Sequence, residues 1–525
     1  MKKINFITFL LIVIPGFVIA QNATGTIFED KNGNGRQDSN ESGIPNVAVT
    51  NGEDVVLTDQ KGEYQLPKSD AFIISVIKPS GYKYPVDENN LPLFYYNHKP
   101  KGSPDLKYTG VEVTGDLPRE LNFPLLKNNE EKENFSALIF GDPQVYNEDQ
   151  VSYFQKGMVS RVKKNKDILF GISLGDLVGN DLALFDPYIQ VMKDLKLPWY
   201  NVLGNHDLNF DVDKDKYSDE TFEKYFGPPN YAFNYGKVHF IVLDDILYPD
   251  PRDNKGYWGG FREDQLNFIE NDLKHVPKDH LIVLSFHIPL SEPNGDAFRD
   301  EDRQRLFEIL KDFPNTLSLS AHTHIQKQDF FKKEDGWLGE QPHHHFNVGT
   351  TSGDWYSGRL NETGIPISTM RDGTPKGYAV LNFEDNNYTI DYQVVGESED
   401  YRMQIFSPKV VAKDQNTKAG IYVNYFMGSE EDKVEYRIDE GSWSTMKYVE
   451  DYDPSYVAMV YEWDLTEELF SGRRPSNPIK SKHLWRANIP TKLAEGVHTI
   501  EVRVEDMFGR IFTDTHEYRI VSPDQ

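Results

Sequence analysis

The chain has 525 residues, of which 38% are hydrophobic and 13% aromatic, so it is rich enough in apolar side chains for packed domains and is not a disordered chain. Its 56 Lys and Arg residues against 83 Asp and Glu residues give a formal net charge of −27, which argues against binding of nucleic acid or of an anionic membrane surface. The absence of cysteine excludes disulfides, thiolate metal ligands and a cysteine nucleophile.

Residues 1–20 are predicted to be a secretory signal peptide rather than part of the fold. Lys2 and Lys3 precede an apolar stretch at residues 7–20 that ends in small side chains. A membrane anchor is the alternative, but Pro15 interrupts this stretch, which is also shorter than the ~20 residues that span a bilayer. No later segment is apolar enough to cross a membrane. We therefore expect export to the periplasm, the cell surface or the medium, and the absence of cysteine favours a bacterium.

Residues 21–127 are predicted to form a small β-sandwich. Short β-prone runs at residues 25–28, 47–50, 55–58 and 63–66 are separated by Asn-Gly, Lys-Gly and Pro. This alternation of short strands and turns is typical of hairpin-rich sandwiches. A charged linker at residues 127–133 separates the unit from the next one.

The N-terminal unit contains a candidate calcium loop at residues 30–41. Its spacing matches the twelve-residue calcium loop, with Gly35 at the sixth position. The six ligand positions hold Asp30, Asn32, Asn34, Arg36, Asp38 and Glu41. Strands are predicted on both sides of the loop, so it is not an EF-hand pair, and it resembles the calcium loops of B-type repeats in Gram-positive surface proteins. The alternative is a turn rich in Asn and Gly that binds no metal.

Residues 134–396 are predicted to form a layered α/β domain. Apolar residues recur every three or four positions from Val151 to Val162 and from Leu266 to Val276, which predicts two helices. Alternation of helices with buried strands indicates a layered α/β fold, and residues 378–395 are predicted to close it with a hairpin. The buried strands are predicted at residues 135–140, 168–173, 199–203, 240–243, 281–285 and 317–320.

Residues 401–525 return to β character. Runs of β-forming residues at 420–425, 433–438 and 499–504 surround turns such as the one at residues 439–441. We therefore predict a second β-sandwich at this end of the chain.

Five of the buried strands of the α/β domain are followed in the sequence by polar residues that can bind metals. Ligands gather at the carboxyl ends of strands in α/β sheets, so we expect these side chains to meet. Their mixture of carboxylate, amide and imidazole suits Mn, Fe, Zn or Co better than an all-oxygen Mg or Ca site. The residues are Asp142 and Gln144; Asp176; Asn205, His206 and Asp207; His287; and His322 and His324.

In this order, the motifs Asp-x-Gln, Gly-Asp, Gly-Asn-His-Asp, His and His-x-His resemble those of the calcineurin-like metallophosphoesterases. The resemblance extends over residues 134–396, and the flanking β units are similar to accessory domains found in a bacterial subset of the family. It implies an α/β core in the form of a four-layer α/β/β/α fold, flanked by two β-sandwich domains. It also implies a dinuclear metal site between the two sheets.

The resemblance further implies a role for each residue of these motifs. Two cations can clamp a phosphate and acidify a water molecule, while an imidazole protonates the leaving oxygen. The implied activity is hydrolysis of phosphate mono- or diesters, or of pyrophosphate linkages, by a metal-activated hydroxide, with His206 as general acid and Asp207 as its support. One metal would be held by Asp142, Gln144, Asp176 and His324, and the other by Asp176, Asn205, His287 and His322.

One position departs from the common family pattern. The family usually has His where this chain has Gln144, although Gln occurs in some branches, including enzymes that cleave ADP-ribose and CDP-alcohols. An amide oxygen is a harder and weaker donor than imidazole, so we expect looser binding of the first metal. This shifts the preference toward Mn or Mg, and among Mn, Fe and Zn it favours Mn.

Several further side chains are candidates for binding the substrate, which would be a small phosphorylated molecule such as a nucleotide, a sugar phosphate or a lipid head group. His343, His344 and His345 could line the pocket, or could be a surface histidine tract entering a strand. Tyr257 and Trp355 could contact a sugar or a base, or could serve only in packing.

Two arginines and one alternative function complete the sequence-based expectations. Arg262 and Arg359 could clamp phosphate through bidentate guanidinium contacts, or could be solvated surface residues. The competing function is a surface adhesion or glycan-binding protein that carries a degenerate phosphoesterase fold. The complete ligand set argues against that alternative, and the candidate calcium loop supports it.

Overall fold

The structure of the protein is a computed structural model that describes residues 22–68, 71–129, 132–291 and 298–523. The predicted signal peptide therefore lies outside the described residues. No helix within these ranges has both the length and the apolar character that a membrane span requires.

The N-terminal unit consists of two four-stranded sheets packed face to face. One sheet has the strand order β4-β1-β8-β6 and the other β3-β2-β5-β7, and β1 and β8 are the parallel pair. Ile27, Val49 and Ile74 are fully buried between the sheets. The strands are β1 (Ala23–Glu29), β2 (Ala48–Thr50), β3 (Val55–Leu57), β4 (Glu63–Leu66), β5 (Phe72–Ile77), β6 (Tyr82–Lys83), β7 (Tyr95–His98) and β8 (Phe123–Lys127).

The central unit contains strands β9 to β22 and helices α1 to α5. The strands are β9 (Asn134–Phe140), β10 (Ile168–Ser173), β11 (Trp199–Asn201), β12 (Tyr231–Tyr235), β13 (Val238–Val242), β14 (Ile246–Leu247), β15 (Trp258–Gly259), β16 (Leu281–Ser285), β17 (Asn315–Ser320), β18 (Lys327–Phe331), β19 (His343–Asn347), β20 (Gly358–Arg359), β21 (Gly377–Glu384) and β22 (Asn387–Val394). The helices are α1 (Glu148–Gly157), α2 (Phe185–Met192), α3 (Glu220–Phe226), α4 (Glu263–Leu273) and α5 (Asp300–Leu310).

Two large sheets of the central unit pack against each other, and helices cover their outer faces. Their strand orders are β11-β10-β9-β21-β22 and β12-β13-β16-β17-β19-β18. Phe135 and Phe170 of the first sheet meet Phe240 of the second, with ring centroids 6.5 and 5.2 Å apart. On the outer face, Phe140 packs against Phe154 of α1 at 6.3 Å, because successive side chains of a strand point to opposite faces. The predicted four-layer α/β/β/α fold is confirmed.

The parallel strands within each sheet carry the predicted metal ligands at their carboxyl ends. In the first sheet β9, β10 and β11 run parallel, and in the second β13, β16, β17 and β19 do so. The carboxyl ends of parallel strands lie on one edge of a sheet, which is where loops bearing functional groups converge.

The C-terminal unit is also a two-sheet sandwich, with strand orders β23-β25-β30-β28 and β24-β32-β31-β26-β27. The short strand β29 leaves the sandwich and pairs with β20 of the central unit. The elements are β23 (Met403–Phe406), β24 (Val410–Ala412), β25 (Gly420–Tyr425), β26 (Lys433–Ile438), β27 (Ser444–Thr445), β28 (Lys447–Tyr448), α6 (Pro454–Asp464), β29 (Gly472–Arg473), β30 (Leu484–Asn488), β31 (Gly496–Glu505) and β32 (Ile511–Val521).

Both helices predicted from apolar spacing end earlier than the pattern suggests. Helix α1 stops at Gly157, and Val162 already has extended backbone angles after an intervening 3-10 turn. Helix α4 stops at Leu273, and Val276 precedes Pro277, which disfavours the helical conformation at the residue before it. Apolar residues beyond a helix end still pack on the core, so their spacing overstates the helix length.

Candidate metal centre

The structure brings the predicted ligands of both metals together at the carboxyl ends of the parallel strands. Apart from His322, which is half-buried, each of these side chains is almost completely buried. They follow five different strands of the two sheets: Asp142 and Gln144 after β9, Asp176 after β10, Asn205 after β11, His287 after β16, and His322 and His324 after β17.

One group of donors surrounds the Nε2 atom of His287. This atom lies 3.3 Å from Oδ1 of Asp176 and 3.0 Å from Oδ1 of Asn205. It also lies 3.3 Å from Nδ1 of His322. One ligand atom from each of Asp176, His287 and His322 falls within 4.8 Å of the others, a spacing that a single ion can bridge. These four residues are the set that the family resemblance implies for the second metal.

The remaining donors lie on the other side of Asp176. The side-chain amide of Gln144 donates to Oδ2 of Asp176 at 3.0 Å, and Nε2 of His324 lies 3.9 Å from Oδ1 of Asp142. The Oε1 atom of Gln144 is buried and has no hydrogen-bond partner among the described residues. An unsatisfied buried acceptor costs about 1–3 kcal/mol, and a cation at this oxygen would remove that cost. The residues present therefore fit a divalent metal.

The protonation of the imidazoles suits metal binding. Nδ1 of His287 donates to the carbonyl oxygen of Leu174 at 2.7 Å, and Nδ1 of His324 donates to that of Gly353 at 2.9 Å. The Nε2 atom of each ring is therefore left as the ligand. Burial lowers the pKa of His322 to about 3 and that of His324 to about 4, which keeps both rings in the neutral, metal-binding form.

The buried carboxyl and imidazole groups of the site interact strongly with one another. Burial and then the charge of Asp176 raise the pKa of Asp142 well above its usual range, although His287 opposes this. Burial disfavours protonation of His287, yet Asp176 raises its pKa to about 10. Divalent cations stabilise buried carboxylates that lie this close to one another, and they replace a proton on the ligand nitrogen of an imidazole.

The ligand loops hold their side chains in backbone conformations that are costly for non-glycine residues. The φ angles of Asp142, Gln144, Asp176, His322 and His324 are 36°, 40°, 48°, 67° and 55°. This left-handed region costs roughly 1–2 kcal/mol per residue. Strained residues of this kind cluster at functional sites, where the surrounding structure holds them in place.

Two glycines allow the ligand loops to approach one another. A Cβ atom on Gly204 would lie 1.9 Å from the backbone nitrogen of Asp176, and one on Gly175 would lie 2.5 Å from Nδ1 of His287. Only glycine fits at these contacts, which gives a physical reason for the Gly-Asp and Gly-Asn-His sequences.

His206 lies at the open side of the site and is oriented by Asn180. Its Nδ1 atom is 2.6 Å from Oδ1 of Asn180, and its Nε2 atom is 4.0 Å from Oδ2 of Asp176. The His206 side chain is 26% exposed, whereas that of Asp176 is 2% exposed. The ring is therefore close to the ligands and still accessible to a substrate.

Asp207 does not support the His206 ring as predicted. Its carboxylate accepts the backbone N–H groups of Leu177 and Val178 at 3.1 Å and that of Gly204 at 2.9 Å. The residue is fully buried, so its role is to fix the loops that follow β10 and β11. The prediction of a catalytic role for Asp207 is corrected accordingly, and Asn180 takes the orienting position.

The structure does not bring His343, His344 and His345 to the metal centre, contrary to the prediction. They form the buried strand β19, where His343 bonds to the hydroxyl groups of Thr316 and Ser318, and His345 to those of Ser318 and Ser320. His344 points to the other face and bonds to the side chains of Tyr388 and Gln328. Each of the three histidines therefore forms hydrogen bonds with polar side chains of neighbouring strands.

Aromatic rings surround the mouth of the site. The Trp355 ring stacks on His324 with ring centroids 4.0 Å apart, and Trp355 also has a positive φ of 47°. Tyr257 packs edge-on against His322, and Tyr146 edge-on against His206, each with centroids 6.0 Å apart. Of the predicted substrate-binding residues, Trp355 and Tyr257 therefore lie beside the metal ligands, whereas the three histidines do not.

The two predicted phosphate clamps are engaged elsewhere. Arg262 forms ion pairs with Asp215 at 2.8 Å and Asp244 at 3.2 Å. Arg359 forms an ion pair with Glu462 at 2.7 Å. A guanidinium group already paired with carboxylates is not free to clamp a substrate phosphate.

Two supporting residues were missed in the sequence. Besides Asn180, Asp245 accepts the backbone N–H groups of His287 at 3.1 Å and Ile288 at 2.9 Å, and so fixes the loop after β16. The sequence feature that could have identified Asn180 is its position four residues after Asp176, in a Gly-Asn pair that favours a turn. Asp245 follows β13 at the same sheet edge as the ligands, which was the available signal for that residue.

The candidate calcium loop folds around two buried carboxylates. Asp30 accepts the backbone N–H of Gly33 at 2.7 Å and that of Gly35 at 2.8 Å. Glu41 accepts the backbone N–H of Lys31 at 2.8 Å and that of Asp38 at 2.9 Å. The side-chain amides of Asn32 and Asn34 donate to Asp38, and the backbone N–H of Arg36 donates to Asn34.

The fold and the site together define a metal-dependent phosphoester hydrolase, and the sequence comparisons agree. Residues 135–326 match the family described as calcineurin-like phosphoesterase. Residues 31–109 match the N-terminal domain of calcineurin-like phosphoesterases, and residues 345–512 match the C-terminal domain. The chain therefore belongs to the calcineurin-like phosphoesterases that carry both accessory domains, and this family binds divalent metal ions. No curated protein sequence matches the chain.

Similar solved structures are distant. Purple acid phosphatase PPD1 from yellow lupin (Lupinus luteus) is 14% identical, with a TM-score of 0.36 over 71% of this chain and 72% of that one. GAP50 of Plasmodium is 18% identical, with a TM-score of 0.32 over 50% of this chain and 84% of that one. Vps29 of Chaetomium thermophilum is 12% identical, with a TM-score of 0.20 over 59% of this chain and 95% of that one. At these identities and TM-scores, the similarities do not indicate the substrate of this protein.

Proposed function

We propose that the protein is an exported phosphoesterase with two metal ions, which hydrolyses small phosphorylated molecules. The observation that carries the proposal is the convergence of the seven predicted donor residues on one site, in which Oε1 of Gln144 has no hydrogen-bond partner among the residues that the structure describes. Asp142, Gln144 and His324 would hold one ion, Asn205, His287 and His322 the other, and Asp176 both. When bound, the ions would neutralise the phosphate oxygens and lower the pKa of the attacking water.

The chain itself supplies the proton for the leaving group. His206 is oriented by Asn180 through Nδ1, so its Nε2 atom faces the ligand side of the site and carries the proton that is transferred. A positioned imidazole of this kind contributes typically ~10²–10⁴-fold to the rate. The backbone N–H of His206 donates to Asp176 at 2.8 Å, which keeps the general acid at a fixed distance from the ligand carboxylate.

We propose Mn as the preferred metal. The amide oxygen of Gln144 is a harder donor than imidazole, and it is held in place because the same amide donates to Asp176. Export is part of the proposal because residues 1–20 have the pattern of a signal peptide. The net charge of −27 supports a small substrate rather than a nucleic acid.

We propose a separate calcium ion in the N-terminal unit. The support is the full match of residues 30–41 to the twelve-residue pattern and the enclosure of the Asp30 and Glu41 carboxylates, which are 3% and 6% exposed. This ion would stabilise the N-terminal sandwich without taking part in hydrolysis.

The test is metal analysis combined with a hydrolysis panel. The protein is loaded with Mn, freed of excess metal, and assayed on nitrophenyl mono- and diesters, nucleoside diphosphates, sugar phosphates and phospholipid head groups. We expect about two transition-metal ions per chain and Mn-dependent hydrolysis of at least one class. A protein that retains no metal and hydrolyses nothing would instead support the adhesion or glycan-binding alternative.

A further inference from the structure

Arg371 lies beside the metal centre with part of its guanidinium group unsatisfied. Its Cζ atom is 5.5 Å from the centroid of the Trp355 ring, which in turn stacks on His324. One of its terminal nitrogens donates to the carbonyl oxygen of Thr323 at 3.3 Å. Its Nε atom is buried and has no hydrogen-bond partner among the described residues.

Arg473 reaches the same region from the C-terminal unit. It is the last residue of β29, which pairs with β20, and it donates to the carbonyl oxygens of Asp354 at 3.0 Å and Trp355 at 3.1 Å. Because the Trp355 ring stacks on His324, this contact places Arg473 beside the metal ligands.

Neither arginine forms an ion pair within the part of the chain that the structure describes. The carboxylate of Asp354, whose backbone carbonyl oxygen accepts from Arg473, binds other groups through Oδ2, which accepts the Ser357 hydroxyl at 2.5 Å and the Ser476 N–H at 2.7 Å. By contrast, the neighbouring Arg474 is paired with Asp464 at 2.6 Å. In a chain with a net charge of −27, two guanidinium groups without a counter-ion beside a phosphate site indicate a binding place for an anion.

We propose that Arg371 and Arg473 bind a second phosphate group, carried by the leaving group of the substrate. The preferred substrates are then phosphoanhydrides or phosphoesters with two phosphates, of which a nucleoside diphosphate is the simplest probe. This inference rests on the proposed hydrolytic function. Water attacks the phosphorus at the metal centre, the bond from that phosphorus to the bridging oxygen breaks, and this oxygen leaves on the second phosphate with the electron pair and the proton from His206.

The C-terminal unit holds this anion subsite in place. The loop that carries Arg371 continues into Asp372, whose Oδ2 atom lies 3.2 Å from Nε2 of His483. Nδ1 of His483 is 2.7 Å from Oδ1 of Asn424, and Nδ2 of Asn424 donates to the carbonyl oxygen of Asp372 at 3.1 Å. Both arginines thus depend on the C-terminal sandwich, one through β29 and the other through this buried cluster.

The test compares two substrates in the Mn-loaded, full-length protein. The value of kcat/KM is measured for ADP and for p-nitrophenyl phosphate in the parent and in Arg371→Ala, Arg473→Ala, Arg371→Lys and Arg473→Lys. The matched control is Arg474→Ala, which removes the adjacent, ion-paired arginine. Melting temperatures and bound metal are recorded for every variant, so that loss of fold or of metal is recognised.

We expect each alanine variant to lower the ratio of kcat/KM for ADP to that for the nitrophenyl ester by about 10- to 100-fold, because a charge-assisted contact to one substrate only is lost. The lysine variants should fall in between, and Arg474→Ala should keep the parent ratio. An unchanged ratio in folded, metal-bound alanine variants would overturn the subsite.

A protein that hydrolyses neither compound would contradict the proposed function, and the subsite is then judged by thermal stabilisation in the presence of Mn. Inorganic pyrophosphate should stabilise the parent more than phosphate does, and this difference should vanish in Arg371→Ala and Arg473→Ala. Equal stabilisation by both anions would overturn the subsite independently.

Discussion

The Nδ1 atom of His206 lies 2.6 Å from the Oδ1 atom of Asn180, and the backbone N–H of Asn180 donates to the carbonyl oxygen of His206 at 3.1 Å. The two residues therefore hold each other through side chain and backbone. Asn180 has a positive φ of 72°, which an asparagine tolerates better than most residues. The result is an imidazole whose orientation is set before a substrate arrives.

Replacing Asn180 with alanine should impair proton transfer without removing metal. We expect Asn180→Ala to lower kcat/KM for an alkyl phosphate by about tenfold, because the acceptor that orients and stabilises the imidazolium is lost. Asn180→Asp keeps an acceptor and should recover most of the rate. Kinetics with alkyl and nitrophenyl esters check this: an equal loss on both would show that Asn180 does not act through His206.

Replacing Gln144 should change metal preference. Gln144→His supplies a nitrogen donor in place of the amide oxygen, so we expect better retention of metal after dialysis and a higher activity with Zn relative to Mn. Metal analysis and rates with each metal are the measurements. A variant that behaves like the parent with both metals would indicate that Gln144 is not a ligand.

Much of the metal site could be predicted because its residues follow apolar strands in a fixed order. The position of residues 343–345 could not be predicted in the same way, because it depends on pairing with β17. Every second residue of β17 from Thr316 to Ser320 carries a hydroxyl group. His343 and His345 are spaced in the same way on β19, and they bond to these hydroxyl groups when the two strands pair. Pairing across distant segments is not visible in a local pattern.

The role of Asp207 could not be predicted from the sequence for a similar reason, whereas helix α6 has a signal in the sequence. An Asp beside a His suggests a charge partner, but the backbone of adjacent residues in a turn directs them apart, and Asp207 serves the loops instead. Helix α6 begins with Asp453 as its N-cap and Pro454 at its first position, which is a recognisable signal. The β-sandwich predicted for residues 401–525 does not include this helix.

The buried histidine strand should make the protein sensitive to acid. Burial lowers the pKa of His343 and of His344 from 6.5 to about 3, so the unfolded chain takes up protons below pH 6.5 while the folded chain does not. Each of these histidines should therefore contribute a decrease in the free energy of unfolding as the pH falls from 6.5 toward 3, of about 1.4 kcal/mol per pH unit. His344→Gln should reduce this slope by one histidine's share.

Denaturant unfolding between pH 7 and pH 5 measures that slope, and His275→Gln is the control because His275 is exposed. We expect the control to keep the parent slope. A His344→Gln variant with the same slope as the parent would contradict the buried, neutral state of His344.

Calcium should stabilise the N-terminal unit and leave catalysis unaffected. Removal of calcium with EGTA, or the Glu41→Gln substitution, should lower the melting temperature because binding energy that favours the folded state is lost. Turnover with Mn should remain near that of the parent. A melting temperature that responds to neither calcium nor EGTA would exclude this site.

Bound metal measured together with leaving-group dependence in Asn205→Ala and His206→Ala tests the central claim most directly. Asn205→Ala should lose the second metal and slow every substrate together. His206→Ala should keep both metals and slow an alkyl ester by ~10²–10⁴-fold, with a much smaller loss for nitrophenyl phosphate, whose leaving group departs without a proton. A His206→Ala protein that loses metal, or that slows equally on both esters, would contradict the account.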